Sequence, residues 1–194
     1  MIKKAFKKTI AIFFYVENYI ILLVNKVKFR KFHIRGKIRI NNKGYIELGN
    51  YLRANAGHKY NPIGGDVDLS LTTTSKGSII FGENIKISNS VIFSTISITI
   101  EDNVMIGGGC RIYDTDFHSL YLEDRLKEKD PNIISKPVLI KEGVFIGGHS
   151  IILKGVTIGN NSVIGAGSVV TKSIPESEIW AGNPAKFIKK INNN

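Results

Sequence analysis

Few residues in this chain are suited to proton transfer. Its 194 residues include four histidines (His33, His58, His118 and His149) and one cysteine, Cys110. A neutral imidazole can take a proton from a hydroxyl or an amine near neutral pH, so each histidine is a candidate base. His118 has the most suggestive neighbourhood, the run Asp114-Thr115-Asp116-Phe117-His118-Ser119. Side chains alternate along an extended strand, so Asp114, Asp116 and His118 are expected to share one face. Asp116 could then orient the imidazole or meet a substrate hydroxyl. Zinc catalysis needs three nitrogen-rich ligands around an open position, and the residue five beyond His118 is Glu123, so no metal is expected. The lone cysteine can form neither an internal disulfide nor a thiolate cluster.

The elements that must hold these groups show in a period of six. Ile140, Ile146, Ile152, Ile158, Ile164 and Val170 follow it without a miss, with Val144, Ser150, Val156, Ser162 and Ser168 four places after a repeat position. Ile100, Ile106 and Ile112 obey the same grammar, with Val104 and Cys110 at the small position. Phe81, Ile87 and Phe93 form a third set, and Ile34, Ile40, Ile46 and Leu52 a weaker one that suggests a start near residue 34. A helix of 3.6 residues per turn would scatter such positions, whereas a chain turning a corner every six residues collects them inside. Three hexads make a triangular coil of about 18 residues, and coils stack about 4.8 Å apart through parallel ladders. Cys110 is then a small buried apolar residue rather than a nucleophile. The tract Tyr113 to Pro137 breaks the period and reads as a loop thrown out of the coil, with His118 at its root.

Charge is concentrated at the amino terminus. Of 27 basic and 16 acidic residues, twelve bases and a single acid, Glu17, lie in residues 1–43, so the whole formal excess of +11 sits there. Ile10 to Val24 are mostly apolar but are interrupted by Glu17 and Asn18, and the stretch is shorter than the roughly 20 residues of a bilayer span. No small-residue cleavage site follows it. Ile2, Ala5, Phe6, Ile10 and Phe13 recur at helical spacing against Lys3, Lys4, Lys7 and Lys8, which predicts an amphipathic helix. That helix would either rest on an anionic membrane surface or pack on a protein surface. No nucleic-acid-binding module is recognisable.

The run Ile140 to Lys186, preceded by DTDFHS, resembles the hexapeptide-repeat acyltransferases, in particular sugar and bacterial polysaccharide O-acetyltransferases. The resemblance implies an all-β fold, a left-handed parallel β-helix, assembled as a homotrimer with acetyl-CoA sites between neighbouring subunits. It implies that His118 is the general base. Gly148, Ala166, Thr171 and Lys172 would lie along the acetyl-CoA arm, with Lys186 and Lys189 near the nucleotide phosphates. Phe145 stands where some relatives have tryptophan, and Asn89 is the one weak counterpart of the residues that hold acceptor sugar in galactoside acetyltransferases. The expected organisation is a basic helical segment over 1–33, a β-helix over 34–174 with its loop at about 113–137, and a turn and basic tail over 175–194. The expected activity is acetyl-CoA-dependent O-acetylation of a carbohydrate acceptor, a sugar hydroxyl of a surface polysaccharide or its precursor. N-acetylation of an amino sugar on a nucleotide-linked precursor is the alternative. The expected location is the cytoplasm, peripherally at the inner face of the cell membrane.

Overall fold

The six-residue period closes into triangular coils, as the computed structural model of the protein describes for residues 2–65 and 67–192, with side chains from Thr9 onward. Three sheets of short rungs form the faces of a left-handed prism. The first sheet runs from Lys28–Phe29 to Thr157–Ile158 and the third from Arg39–Asn42 to Val169–Val170. The second runs from Phe32–Arg35 through Met105–Ile106 and Phe145–Ile146 to Glu178–Ala181. All rung-to-rung pairing in the prism is parallel and in register; Ile100, for instance, sits between Phe81 and Ile140.

Register explains the repeat. Ile140, Ile146, Ile152, Ile158 and Ile164 stack in the interior with no exposed surface, each contributing roughly 1.5–3 kcal/mol of transfer free energy. The small residues four places on fill the corners. Ser150, Ser162 and Ser168 donate their hydroxyls to the carbonyls of Gly147, Pro175 and Gly165 at 2.8, 2.6 and 2.6 Å. The small position therefore also satisfies corner carbonyls that would otherwise be buried without a donor. Cys110 lies fully inside with its thiol on the Gly147 carbonyl at 3.3 Å, and burial pushes that thiol up from its usual range.

Four features depart from the expected boundaries. Rungs begin at Lys28–Phe29, ahead of residue 34, because Phe29 already pairs with Leu48. Ile92 rather than Phe93 fills the interior, and Phe93 stands outside in register with Tyr113. The tail adds one more rung, Glu178–Ala181, and folds back as the antiparallel strand Lys186–Lys190. Residues 56–69 form a second excursion from the prism between Leu52–Asn55 and Ser70–Thr73, which the weak hexad spacing there concealed.

Helix α1, Ile2–Val24, lies against the first coil. Asn18 and Glu17, the polar breaks in the apolar stretch, hold it there. The buried Asn18 amide donates to the Gly36 carbonyl at 2.8 Å and accepts from Ile38 N at 3.0 Å, while Glu17 pairs with Lys37 at 2.6 Å. Leu22 is fully buried, and Tyr15 stacks on Phe32 with ring centres 5.0 Å apart. The opposite side, Ile12, Phe13, Val16, Ile20, Leu23 and Val24, is an exposed apolar stripe. The lysines expected opposite Ile2, Ala5 and Phe6 have side chains outside the described residues. Among those described, no helix is long and apolar enough to cross a membrane.

Candidate active site

The loop around His118 is held by a buried carboxylate. Asp114 turns into the protein with no exposed surface. It accepts from the Ser94 hydroxyl, from the Thr95 hydroxyl and backbone N–H, and from the N–H groups of Ile96 and Ser97, all at 2.7–2.8 Å. These donors belong to the corner one coil below, so Asp114 locks the departing chain to the prism. A short antiparallel stalk follows. Thr115 bridges to Ser135, Asp116 N donates to the Ile134 carbonyl at 3.0 Å, and Lys136 N donates to the Asp114 carbonyl at 2.9 Å.

The strand does not stay extended past this stalk, which corrects the expected common face of Asp114, Asp116 and His118. Phe117 adopts the left-handed region (φ 63°) and folds its ring onto Phe93 and Tyr113, with centres 5.0 and 5.4 Å away. Asp114 therefore points inward and is unavailable to a substrate. Asp116 forms an ion pair with Lys154 at 2.6 Å rather than orienting the imidazole. His118 emerges with a side chain 74% exposed and its Nδ1 3.5 Å from Oδ2 of Asp130. Asp130 is the acid beside the imidazole, which the spacing of two could not reveal because the loop brings it back from twelve residues on. Its Oδ2 also accepts from Ser119 N at 2.7 Å, and its Oδ1 is buried without a partner among the described residues.

The head of the loop is a second polar knot around the short helix α2, Leu122–Arg125. Asp124 accepts from Lys127 at 2.7 Å, Asn132 at 2.7 Å and the Ser119 hydroxyl at 3.1 Å, and these donors, Lys127 first, hold its carboxyl below the usual range. Arg125 ties the Ser119 and Leu120 carbonyls at 2.8 and 2.9 Å. His118 is thus presented by a loop with internal order.

Asn89 does not face a substrate either. It is fully buried, accepts from Gly57 N at 2.9 Å and donates to the Asn61 carbonyl at 2.8 Å, so it pins the excursion over 56–69. His149 pins the same excursion from a later coil, its Nε2 2.6 Å from the Ile63 carbonyl. Its ring lies over Gly109, where a Cβ would meet Nδ1 at 2.5 Å.

Gly148 and Ala166 stack at one corner, where Gly167 N donates to the Gly148 carbonyl at 2.8 Å. A Cβ at Gly148 would come within 3.0 Å of the Gly108 carbonyl. That column is the kind of bare backbone ledge an extended ligand arm can follow. Thr171 and Lys172 lie exposed at the far end of the rung Val169–Val170, and Lys186 and Lys189 sit on the antiparallel strand of the tail. The chain by itself therefore holds these groups on separate edges. Among the described residues no cluster of three or more His, Cys, Asp and Glu could hold a metal ion.

Comparison with known proteins bears on this arrangement. Residues 137–172 match the family described as "Bacterial transferase hexapeptide (six repeats)". The chain is 32% identical over 180 residues to the "Putative lipopolysaccharide biosynthesis O-acetyl transferase WbbJ" of Escherichia coli, covering 88% of this chain and 85% of the relative. It spans 57% of the length of other curated relatives. A hexapeptide-repeat acetyltransferase of Vibrio cholerae solved with acetyl-CoA is 33% identical, with a TM-score of 0.57, over 63% of this chain and 66% of that one. AntD, an N-acyltransferase of Bacillus cereus solved with coenzyme A and dTDP-4-amino-4,6-dideoxyglucose, is 25% identical with a TM-score of 0.68, over 86% and 84%.

Proposed function

Because the chain belongs to the hexapeptide-repeat acyltransferases and uses acetyl-CoA as its donor, we propose that it acetylates a sugar hydroxyl of a bacterial surface polysaccharide or its precursor, with His118 as general base. The observation that carries this reading is the exposed imidazole with Nδ1 turned to Asp130. Nε2 takes the hydroxyl proton as the acceptor oxygen bonds to the thioester carbonyl carbon. The tetrahedral intermediate then expels the CoA thiolate, and the imidazolium returns its proton to the sulfur. Backbone N–H groups at a corner of the prism would stabilise the oxyanion. The Gly148 and Ala166 ledge supports a place for the pantetheine arm, and Thr171, Lys172, Lys186 and Lys189 are the proposed contacts further along the donor.

Donor groups on separate edges support a homotrimer in which each cleft is completed by a neighbour; sedimentation at enzyme concentration tests this. The apolar stripe on α1 supports a peripheral seat on the cytoplasmic face of the membrane, tested by vesicle flotation of the full chain against a chain lacking residues 1–26.

A second reading, acetylation of an amine on a nucleotide-linked sugar, is favoured by the higher TM-score of the likeness to AntD, 0.68 against 0.57 for the Vibrio enzyme. An amine also has to lose a proton, so His118 serves either acceptor. Incubation with isotopically labelled acetyl-CoA and a panel of surface glycans and nucleotide-linked amino sugars, read by mass spectrometry, separates the two by the atom labelled. His118→Ala should lower kcat about 10²–10⁴-fold with CoA affinity retained. Unchanged turnover would remove His118 from the mechanism.

A further inference from the structure

The outer face of the second sheet carries Arg35, Arg53 and Lys86 with His33 beside them, and no acidic side chain among the described residues lines this face. Register places His33 opposite Arg53 and Arg53 opposite Lys86, with Arg35 two residues along, in line with Asn55 and Ser88. Rungs about 4.8 Å apart hold the like charges of Arg53 and Lys86 closer than their repulsion favours. Among the described residues, none of the four side chains makes an ion pair or a hydrogen bond. They line a cleft of about 390 Å³ whose far end is formed by Met105 and Phe145, both exposed beyond Lys86 in the same column. A second cleft, of about 540 Å³, shares His33 and Arg35 with the first. It runs beneath α1 and is mostly apolar, lined by Ile10, Ala11, Phe14, Tyr15, Ile34 and Tyr60, with Lys59 joining His33 and Arg35 as its basic members.

The sequence of surfaces is therefore hydrocarbon-like, then cationic, then polar with an aromatic end. We propose that the joined clefts bind an acceptor in which a diphosphate links an isoprenoid-like hydrocarbon chain to a sugar. The diphosphate lies on His33, Arg35, Arg53 and Lys86, where its charge replaces the missing counter-ions. The first hydrocarbon units enter the groove beneath α1, and the sugar extends past Ser88 toward Met105 and Phe145, whose ring offers it an apolar face. A nucleotide would place a polar base where the groove is apolar, which is why the lipid-linked class fits better. The inference rests on the acetyl-transfer reading and names its acceptor class. His118 leaves the prism at another edge, so the base that meets this sugar comes from a neighbouring copy.

Direct binding to the full-length chain tests this, with farnesyl diphosphate, UDP-glucose, inorganic pyrophosphate and farnesol as probes below their aggregation limits. Farnesyl diphosphate should bind at least tenfold more tightly than any of the others, and more weakly at 200 mM than at 50 mM salt. Arg53→Ala with Lys86→Ala should weaken it at least tenfold. Phe14→Asp should remove the advantage over pyrophosphate while leaving pyrophosphate binding in place. Retained acetyl-CoA affinity shows that these variants are folded. UDP-glucose or pyrophosphate binding as tightly as farnesyl diphosphate would overturn the lipid-linked assignment, and binding insensitive to Arg53 and Lys86 would overturn the site. Intact farnesyl diphosphate binding in a chain that transfers no acetyl group would instead refute the enzymatic reading.

Discussion

Replacing Asp114 by alanine removes the acceptor of five hydrogen bonds at once. The two hydroxyl donors, on Ser94 and Thr95, can rotate to other partners. The N–H groups of Thr95, Ile96 and Ser97 cannot, and they point at the space the carboxylate fills. An orphaned buried donor costs about 1–3 kcal/mol, and water reaching this partly buried corner recovers some of that, so the loss should be about 3–5 kcal/mol. For a chain of this size each kcal/mol moves Tm by about 2–4 °C, giving a drop of roughly 6–20 °C. Asp114→Asn should cost less, about 1–3 kcal/mol, because one amide oxygen still accepts while the NH₂ group faces a single backbone donor or a pair. Denaturant melts followed by circular dichroism measure both. Because the stalk leads to His118 four residues on, kcat should fall more than acetyl-CoA affinity in each variant. If Asp114→Ala melts within about 1 kcal/mol of the parent, the carboxylate does not anchor the loop and the argument fails.

Three further outcomes follow from the same contacts. Asp130→Ala should lower kcat about tenfold or more by freeing the imidazole, with Asp130→Glu recovering part of it; equal kcat in Asp130→Ala and parent enzyme would rule out orientation by this acid. Because Asp124 titrates below its ordinary range in the folded loop, its stabilisation is complete above the unfolded carboxylate pKa, about 3.9, and is lost as pH falls through the lower folded value. Protection of the amides across 119–132, measured relative to their intrinsic exchange rates, should therefore fall in acid, and Asp124→Asn should flatten that dependence. Asn18→Leu should leave Ile38 N–H and the Gly36 carbonyl unpaired and free α1, so that limited proteolysis near Lys26 becomes fast while the coil still melts cooperatively; protection equal to the parent would contradict the docking role.

The prism was legible in the sequence because each hexad is local: the interior position and its small companion recur within six residues. The two amino-terminal coils were harder to read, since Ile40 is only partly buried and residues 56–69 interrupt the count. His118 could be singled out by type and neighbourhood, but its partner could not. Asp130 reaches it through a folded loop, and loop geometry has no period to read. Asp114, Asp116 and Asn89 were the right residue types for a polar site but are committed to backbone and lysine partners. One dihedral, at Phe117, is enough to defeat an inference from strand alternation. Glu17 and Asn18 were visible as breaks in the apolar stretch, though nothing in their spacing disclosed Gly36, Ile38 and Lys37 as partners.

Both excursions, over 56–69 and 113–137, leave from bends and return to the very next strand, so the stacked ladder never registers their length. Closing a longer flexible segment costs only about 0.6 kcal/mol for each doubling. Such a scaffold can swap, lengthen or reshape the parts that choose a substrate while its interior stays unchanged. Diversification of specificity in enzymes built this way should therefore show up as indels at bends rather than as changes to the aliphatic stack.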